Sequence, residues 1–335
     1  MTTLVFMFPG QSSRYPGMLD KLARLHRRAA EVLAYASDAL GRDLKAQYSE
    51  DNPAAFERNV DVQLGVFVAN HMMLSALQAE GVDAELSLGL SLGEYNHLVH
   101  IGALEFTEAL RLVHARGEAY DAGPRGQMAS VQPLDLDTLE EVVEQIRGRG
   151  LGVLEIVNLN SPRQHVISGD AAAVEAAVAV LEDEHFVVPT IIERQVPMHA
   201  SLFEPVGAAL RPHLQRARFK APHRPYLPNR RGEFVGAPSH ADFVELLAAH
   251  VHTPVLWRKS IDRVAERHPG AVFVEVGARQ VLHNLLDRKW HSRPKYATDS
   301  RDEPAAHLAS VIAALRQHMP MSPFPSAAQE ASWTS

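Results

Sequence analysis

Residues 89–93 read Gly-Leu-Ser-Leu-Gly, a G-x-S-x-G pentapeptide, and Glu94-Tyr95 follow directly. A short, largely apolar run at 84–88 precedes the pentapeptide, and the apolar spacing of 92–104 suits a helix. A serine between two glycines at a strand-to-helix turn is typical of a nucleophile elbow. The glycines allow a tight turn, and the helix directs its free N–H groups toward the serine. The pattern predicts that Ser91 is a catalytic nucleophile.

A serine nucleophile needs a general base and donors for the oxyanion of its intermediate. His199 is the candidate base because it follows Pro197 in a loop just before a helical stretch, where catalytic residues are common. A surface histidine is the competing interpretation, which the sequence position alone leaves open. The N–H of Leu92 and that of Gln11, in the loop after the first strand, are the candidate oxyanion donors; a plain turn at Pro9-Gly10 is the alternative.

Composition excludes several other classes of function. The 335 residues are 46% hydrophobic and 22% charged, which is ordinary for a soluble globular protein. The net charge of −7 argues against a nucleic-acid surface, and no apolar run has the length of a membrane span. The absence of cysteine excludes disulfides and a thiol nucleophile and fits a cytoplasmic protein. The histidines lack carboxylates at ligand spacing, so we expect no metal site.

The elements that must position these residues follow from periodicity. Residues 4–8 read as a first strand rather than a signal peptide. The pattern predicts long helices at 18–40, at 61–79, which should be buried, and at 107–120, with Thr107 as N-cap. Further helices are expected at 201–215 and 241–250, and a late strand at 272–276.

A different pattern of predicted strands and helices occupies the middle of the chain. Between residues 125 and 189 the order strand, helix, strand, strand, helix, strand predicts a ferredoxin-like unit, with its last strand at 186–188. We expect this subdomain to be inserted into a larger α/β domain made of residues 1–124 and 190–317. Residues 318–335 are rich in proline and polar residues, so we expect a disordered tail.

The order of six motifs resembles one family, the malonyl-CoA:acyl-carrier-protein transacylases, which also occur as acyltransferase domains of polyketide synthases. The resemblance extends from about Leu4 to Leu286. Its motifs are Phe8-Pro9-Gly10-Gln11, Gly89-x-Ser91-Leu92-Gly93-Glu94-Tyr95, Arg116-Gly117, Asn158-x-Asn160-Ser161-Pro162-x-Gln164, Pro197-x-His199 and Val274-Glu275-Val276-Gly277. It implies an α/β-hydrolase-like large domain with a parallel sheet and a ferredoxin-like subdomain, in agreement with the division above.

The resemblance also implies roles. An acyl-CoA thioester would acylate Ser91, and His199 would act as base and then acid. The main-chain carbonyl of His250 would orient His199, since the family has no acidic third member. Arg116 would pair with the free carboxylate of a malonyl group, which its guanidinium fork suits. Leu90, Gln63 and Asn160 are the other expected substrate contacts.

The same resemblance implies a cytoplasmic monomer with no bound cofactor. Its substrate would be malonyl-CoA, and its partner an acyl carrier protein that brings the 4′-phosphopantetheine thiol, for fatty acid or polyketide biosynthesis. No nucleic acid or membrane partner is expected.

Departures from the family pattern leave a second function open. Leu90 stands where histidine is usual, Ser12 where glycine is usual, and Ala278-Arg279 where Pro-Gly is usual. Leucine beside the nucleophile favours a more apolar acyl group and an acyl hydrolase that clears chains from carrier proteins, whereas Arg116 favours malonyl transfer. A non-catalytic scaffold that binds carrier proteins is a third interpretation, against which the intact Ser91 and His199 argue.

Overall fold

The structure is a computed structural model that describes residues 2–286 and 290–319. Its strands are β1 (Thr3–Phe8), β2 (Leu86–Gly89), β3 (Gln127–Val131), β4 (Leu154–Ser161), β5 (Gln164–Gly169), β6 (Thr190–Glu193), β7 (Ala271–Glu275) and β8 (Lys295–Ala297). Its α-helices are α1 (Met18–Leu25), α2 (Arg27–Leu40), α3 (Leu44–Gln47), α4 (Asn59–Ala79), α5 (Gly93–His100), α6 (Phe106–Asp121), α7 (Leu136–Arg147), α8 (Ala171–His185), α9 (Glu204–Arg216), α10 (His240–His250), α11 (Trp257–Arg267), α12 (Val281–Leu285) and α13 (Pro304–His318).

The large domain is built on a parallel sheet with the strand order β2-β1-β7-β8. Alternate residues of β1 enter different cores: Leu4, Phe6 and Phe8 pack with α4, whereas Val5 and Met7 pack with α11 and α12. A parallel sheet needs this cover on both faces. The observed sheet confirms the predicted α/β class.

Helix α4 is the central helix of the larger core. It is long and apolar enough to cross a membrane, but nearly all of its residues are buried inside the protein, against α2 and α6 among others. An apolar helix surrounded by other helices is what the core of a large globular domain requires. The prediction of a buried helix here is confirmed.

The second sheet is antiparallel, with the order β4-β5-β3-β6, and α7 and α8 pack on it. This βαββαβ unit has the predicted ferredoxin-like arrangement and a hydrophobic core of its own. Its last strand is β6, so the predicted strand at 186–188 is wrong. Helix α8 continues to His185, and Phe186 then adopts a left-handed φ of 55° with its side chain exposed, so 186–188 forms the exit of the helix.

Other expectations change in detail. The predicted helix at 18–40 is interrupted at His26, whose backbone is extended and whose Nδ1 accepts from Arg28 N at the start of α2. Thr107 is not an N-cap: Glu105 holds that position, and Thr107 Oγ1 lies 2.8 Å from the hydroxyl of Tyr35. Strand β8 and helices α11 to α13 were not predicted. Residues 320–335 of the predicted tail lie outside the described residues, whereas 318 ends α13.

The division into domains stays a proposal, which the position of β6 modifies. We extend the small subdomain from residue 189 to residue 193, because β6 pairs with β3 of the same sheet.

The parallel sheet brings the candidate site together at its carboxyl edge. Phe8 at the end of β1 is paired in register with Gly89 at the end of β2, so the loops that follow the two strands lie side by side. Gly10 is so close to the neighbouring turn that a Cβ there would lie 2.8 Å from the carbonyl oxygen of Leu90. The loops that carry Gln11 and Ser91 are therefore in direct contact.

Gly89 tests how tightly the turn is packed. A Cβ on Gly89 would lie 2.0 Å from main-chain atoms of Gly93, and neither backbone can retreat. We expect Gly89→Ala to lower the free energy of unfolding by about 3 kcal/mol, measured by chemical denaturation. Gly236→Ala is the control, since nothing lies within 4 Å of its added Cβ; a change of more than about 0.5 kcal/mol there, or none for Gly89→Ala, would contradict this packing.

Candidate active site

Ser91 occupies the turn between β2 and α5 with a left-handed φ of 51°. A non-glycine residue pays a conformational penalty for this backbone, and such residues concentrate at functional sites. The geometry places the Ser91 hydroxyl 2.8 Å from Nε2 of His199, although 108 residues separate them in sequence. The predicted nucleophile and base are thus in hydrogen-bond contact.

His199 is held on its other side by a main-chain carbonyl. Its Nδ1 lies 2.8 Å from the oxygen of His250, the carbonyl named from the sequence, and its own N–H donates to Val251 O. Because Nδ1 must carry the proton to donate to a carbonyl, Nε2 is left as the acceptor for the Ser91 hydroxyl. Burial, together with the charge of Arg116, lowers the pKa of His199 to about 4, so the imidazole is neutral at pH 7.

The two candidate oxyanion donors lie beside this dyad. Leu92 is the residue before α5, and Gln11 begins the short helix after β1. Neither main-chain N–H has a hydrogen-bond partner among the residues that the structure describes. Two unpaired donors at the start of a helix and in the adjoining loop form the arrangement that a developing negative charge requires.

Arg116 is fully buried on α6 with its guanidinium directed at the same point. One terminal nitrogen donates to Gln63 Oε1 at 2.7 Å, and the other lies 3.5 Å from Ser91 Oγ. The ring of Tyr120 lies 4.3 Å from the guanidinium carbon. Within the described residues no carboxylate comes within 4 Å of Arg116. A buried guanidinium that no carboxylate contacts directly is unfavourable, although the charge of Glu94 acts on it from a greater distance, so this position favours an added anion.

The other three residues predicted to contact substrate lie in two different places. Leu90 and Asn160 line a cleft of about 200 Å³ that also contains Ser91 and His199, and the Oδ1 atom of Asn160 has no partner in the described part of the chain. The cleft draws on both sheets, since Met128 and Val166 of the small subdomain form its opposite wall. Gln63 does not line this cleft; it is buried behind Arg116.

Comparisons with known proteins decide the family. Residues 5–331 match the family described as "Acyl transferase domain". This chain belongs to that acyltransferase family. It is 32% identical to the malonyl CoA-acyl carrier protein transacylase of Escherichia coli K12 over 294 residues, covering 86% of this chain and 93% of the relative.

Solved structures agree with this assignment of the acyltransferase. FabD from Acinetobacter baumannii superimposes with a TM-score of 0.85 at 27% identity, covering 95% of this chain and 99% of that one. A malonyl-transacylase solved in complex with its type II polyketide synthase acyl-carrier protein gives a TM-score of 0.83 at 28% identity, over 94% and 100% of the two chains. The acyltransferase therefore has the fold that its motifs implied.

Sequence reasoning missed Asn229, which holds the nucleophile turn of the acyltransferase. Its Oδ1 accepts from Ser91 N at 2.8 Å, and its Nδ2 donates to Gly89 O at 2.5 Å. Both backbone groups flank Leu90, so one buried side chain clamps the turn from both ends. No motif or spacing marks Asn229, because it lies 138 residues away in a loop without periodicity.

Glu94 contacts both Asn229, which holds Ser91, and His250, which holds His199. Its carboxylate accepts from the hydroxyl of Tyr226 at 2.6 Å and from Asn229 N at 3.1 Å, and it lies 3.6 Å from Nδ1 of His250. Burial raises the pKa of Glu94 to about 7, against the opposing effect of these hydrogen bonds and of Arg116. Glu94 could have been suspected from its place in the serine motif, where we gave it no role.

Protonation of His199 can be measured through Ser91 without using a natural substrate. We expect the rate of Ser91 modification by a fluorophosphonate to fall with a midpoint near pH 4, because protonated His199 cannot accept the serine proton. Arg116→Gln should move the midpoint upward, since removing the neighbouring positive charge favours protonation. Circular dichroism at each pH controls for unfolding. A midpoint near 6.5 in the parent, or a downward shift in the variant, would contradict the geometry.

Removal of the Asn229 clamp should harm both stability and reactivity. Asn229→Ala leaves Ser91 N and Gly89 O without partners in a buried turn, so we expect a loss of about 2–4 kcal/mol in unfolding free energy and slower acylation. Asn52→Ala is the matched control: Asn52 also makes two side-chain bonds to backbone, to Gln47 O and Ala54 N, but in a loop that water can reach. Equal losses in the two variants would argue against the clamp.

Proposed function

We propose that this acyltransferase moves a malonyl group from CoA to the phosphopantetheine thiol of an acyl carrier protein, through an ester on Ser91. The relatives named as malonyl CoA-acyl carrier protein transacylases, and the structure of one such enzyme with its carrier protein, support these substrates. The buried guanidinium of Arg116, beside Ser91 and without a carboxylate partner among the described residues, is the observation that carries the choice of malonyl.

The first half of the reaction forms the acyl-enzyme. Ser91 Oγ attacks the thioester carbonyl while its proton moves to Nε2 of His199. The N–H groups of Gln11 and Leu92 stabilise the resulting oxyanion. When the tetrahedral intermediate collapses, the carbon–sulfur bond breaks, and the departing CoA sulfur takes the proton from His199.

The second half repeats these steps with a different thiol. The phosphopantetheine sulfur attacks the Ser91 ester, its proton passes to His199, and Ser91 recovers that proton as it leaves. Arg116, held by Gln63, pairs with the malonyl carboxylate in both halves of the reaction. Asn160 Oδ1, unpartnered within the described residues, is placed to accept a hydrogen bond from an amide N–H of the pantetheine arm.

Hydrolysis of acyl carrier thioesters is the alternative that Leu90 favoured. The relatives support transfer, and the site gives a physical reason. Ser91 is buried at the base of a small cleft, and Leu90 adds an apolar wall, so bulk water has little access to the ester. We also propose that the protein acts as a cytoplasmic monomer, as the resemblance implies.

The fate of the acyl group separates transfer from hydrolysis. With radiolabelled malonyl-CoA and holo carrier protein, we expect label to accumulate on the carrier protein. Omission of the carrier protein should leave the label on the enzyme. Release of free malonate at a similar rate with and without acceptor, or release of acetate from acetyl-carrier protein without any malonyl-enzyme, would overturn transfer in favour of hydrolysis.

Arg116 should determine the choice between acyl groups. Arg116→Ala should lower kcat/KM for malonyl-CoA by about 100-fold, the order expected when a buried charged pair is lost, with a much smaller effect on acetyl-CoA. Arg116→Lys keeps the charge without the fork and should recover only part of the loss. Loading of acetyl serves as the control for folding, and equal losses with both donors would make Arg116 a structural residue.

A further inference from the structure

The cleft around Ser91 is too small for a complete CoA donor. Its volume of about 200 Å³ lies below the roughly 300–1,000 Å³ of pockets that hold drug-sized ligands, and CoA is larger than most of these. The cleft therefore holds the acyl group and the adjoining part of the pantetheine arm. The phosphorylated adenosine at the other end of CoA must lie outside this cleft.

A second cavity of about 600 Å³ adjoins the cleft, and Val281 lines both. We call it the Arg279 pocket; it is lined by Tyr15, Lys21, Arg279, Gln280, Val281, Asn284 and residues 299–302. Tyr15 lies in the segment after β1, Arg279 follows β7 and Asp299 follows β8, so the pocket belongs to the carboxyl edge of the parallel sheet. Ligands of open α/β sheets bind at this edge.

Two guanidinium groups in the pocket are available to bind an anionic ligand. Asp299 is already engaged by Lys21 at 2.6 Å, by the Tyr15 hydroxyl at 2.9 Å and by the main-chain N–H of Arg279 at 2.7 Å. Arg279 and Arg301 are exposed and have no carboxylate within 4 Å in the described part of the chain. Asp302 is an exposed carboxylate at the rim, so the lining holds three cations and two carboxylates.

Arg279 also has an unfavourable backbone. Its φ of 62° is left-handed, a conformation that costs an arginine free energy and would cost glycine almost none. The guanidinium lies 5.7 Å from the ring of Tyr15. A strained arginine with an exposed charge, in a cavity that adjoins the Ser91 cleft, suggests a function for that charge.

A further arginine, Arg14, lies on the side of the Ser91 cleft. It lines the Ser91 cleft and donates to Gln11 O at 3.1 Å. Burial lowers the pKa of Arg14; the charge of Glu193 opposes this, and the charge of Arg279 adds to it. The pantetheine arm is about as long as four or five extended residues, roughly 15 Å, so a donor whose acyl group lies at Ser91 extends beyond a cleft of this size.

We infer that the Arg279 pocket binds the phosphorylated adenosine end of the CoA donor, with Arg279 and Arg301 contacting its phosphates. This inference rests on the proposed function, because it assigns a site to one of the substrates. It also predicts that malonyl-CoA and malonyl-pantetheine, a donor without the phosphorylated adenosine, depend on different parts of the protein. Malonyl-CoA uses both cavities, whereas a donor that ends at pantetheine uses only the Ser91 cleft.

Truncated donors test the inference directly. Arg279→Gly, Arg279→Gln and Arg301→Gln should each lower kcat/KM for malonyl-CoA by about fivefold, the order expected for an exposed ion pair, and leave malonyl-pantetheine unchanged. The loss should shrink at high salt. Arg149→Gln is the control, because it removes the same charge from a residue that lines neither cavity. Arg149 is exposed in the turn after α7.

Two further readouts distinguish binding from a structural role. Arg279→Gly should raise the thermal midpoint of unfolding while it weakens use of malonyl-CoA, because glycine relieves the backbone strain. Adenosine 3′,5′-bisphosphate should inhibit the parent competitively against malonyl-CoA and inhibit Arg279→Gly less.

Each result that would contradict the inference has a different meaning. Equal losses with malonyl-CoA and malonyl-pantetheine, or a destabilised Arg279→Gly, would make Arg279 structural and overturn the inference. Losses confined to the transfer onto carrier protein would assign the pocket to the carrier protein instead. If malonyl-pantetheine acylates Ser91 but no variant changes the use of malonyl-CoA, the inference fails and the proposed function stands. If neither donor acylates the parent, the proposed function itself fails.

Discussion

The hydrogen bond between Ser91 and His199 joins two residues that both have left-handed backbones, with φ values of 51° and 65°. Neither residue would adopt this conformation in an unconstrained chain, so the surrounding structure must impose it on both. Asn229 holds the Ser91 turn through the backbone of residues 89 and 91, while the main chain of His250 and Val251 holds His199. Glu94 contacts both supports. These contacts hold both residues in position without a substrate, as catalysis by positioning requires.

Two buried charged or titratable groups, Arg116 and His199, set the electrostatics of the site. A histidine kept neutral by burial and by a nearby arginine is ready to accept a proton from serine. The same arginine has no carboxylate within 4 Å among the described residues, so a substrate carboxylate would be its direct partner. We therefore propose that the site favours an acyl group that carries its own anion, which is a property of malonyl and not of acetyl. Leu90 adds an apolar wall to the cleft.

The parts of this arrangement that local chemistry determines could be predicted from the sequence. The serine turn needs its glycines, which the short contact between Gly89 and Gly93 explains, and the ferredoxin-like order follows from periodicity. The strand at 186–188 was wrong because an apolar run at a helix exit resembles a strand. Asn229 could not be found, since its role depends on a contact 138 residues away. The conformation of Arg279 is likewise visible only in the structure.

The acyl-enzyme is the intermediate on which the whole account depends. Tandem mass spectrometry after a brief incubation with malonyl-CoA and acid quench can locate it. The account predicts a malonyl ester on Ser91, absent from Ser91→Ala, that disappears when holo carrier protein is added before the quench. Malonylation of the Ser91→Ala variant to the same extent, or transfer to the carrier protein by that variant, would contradict it.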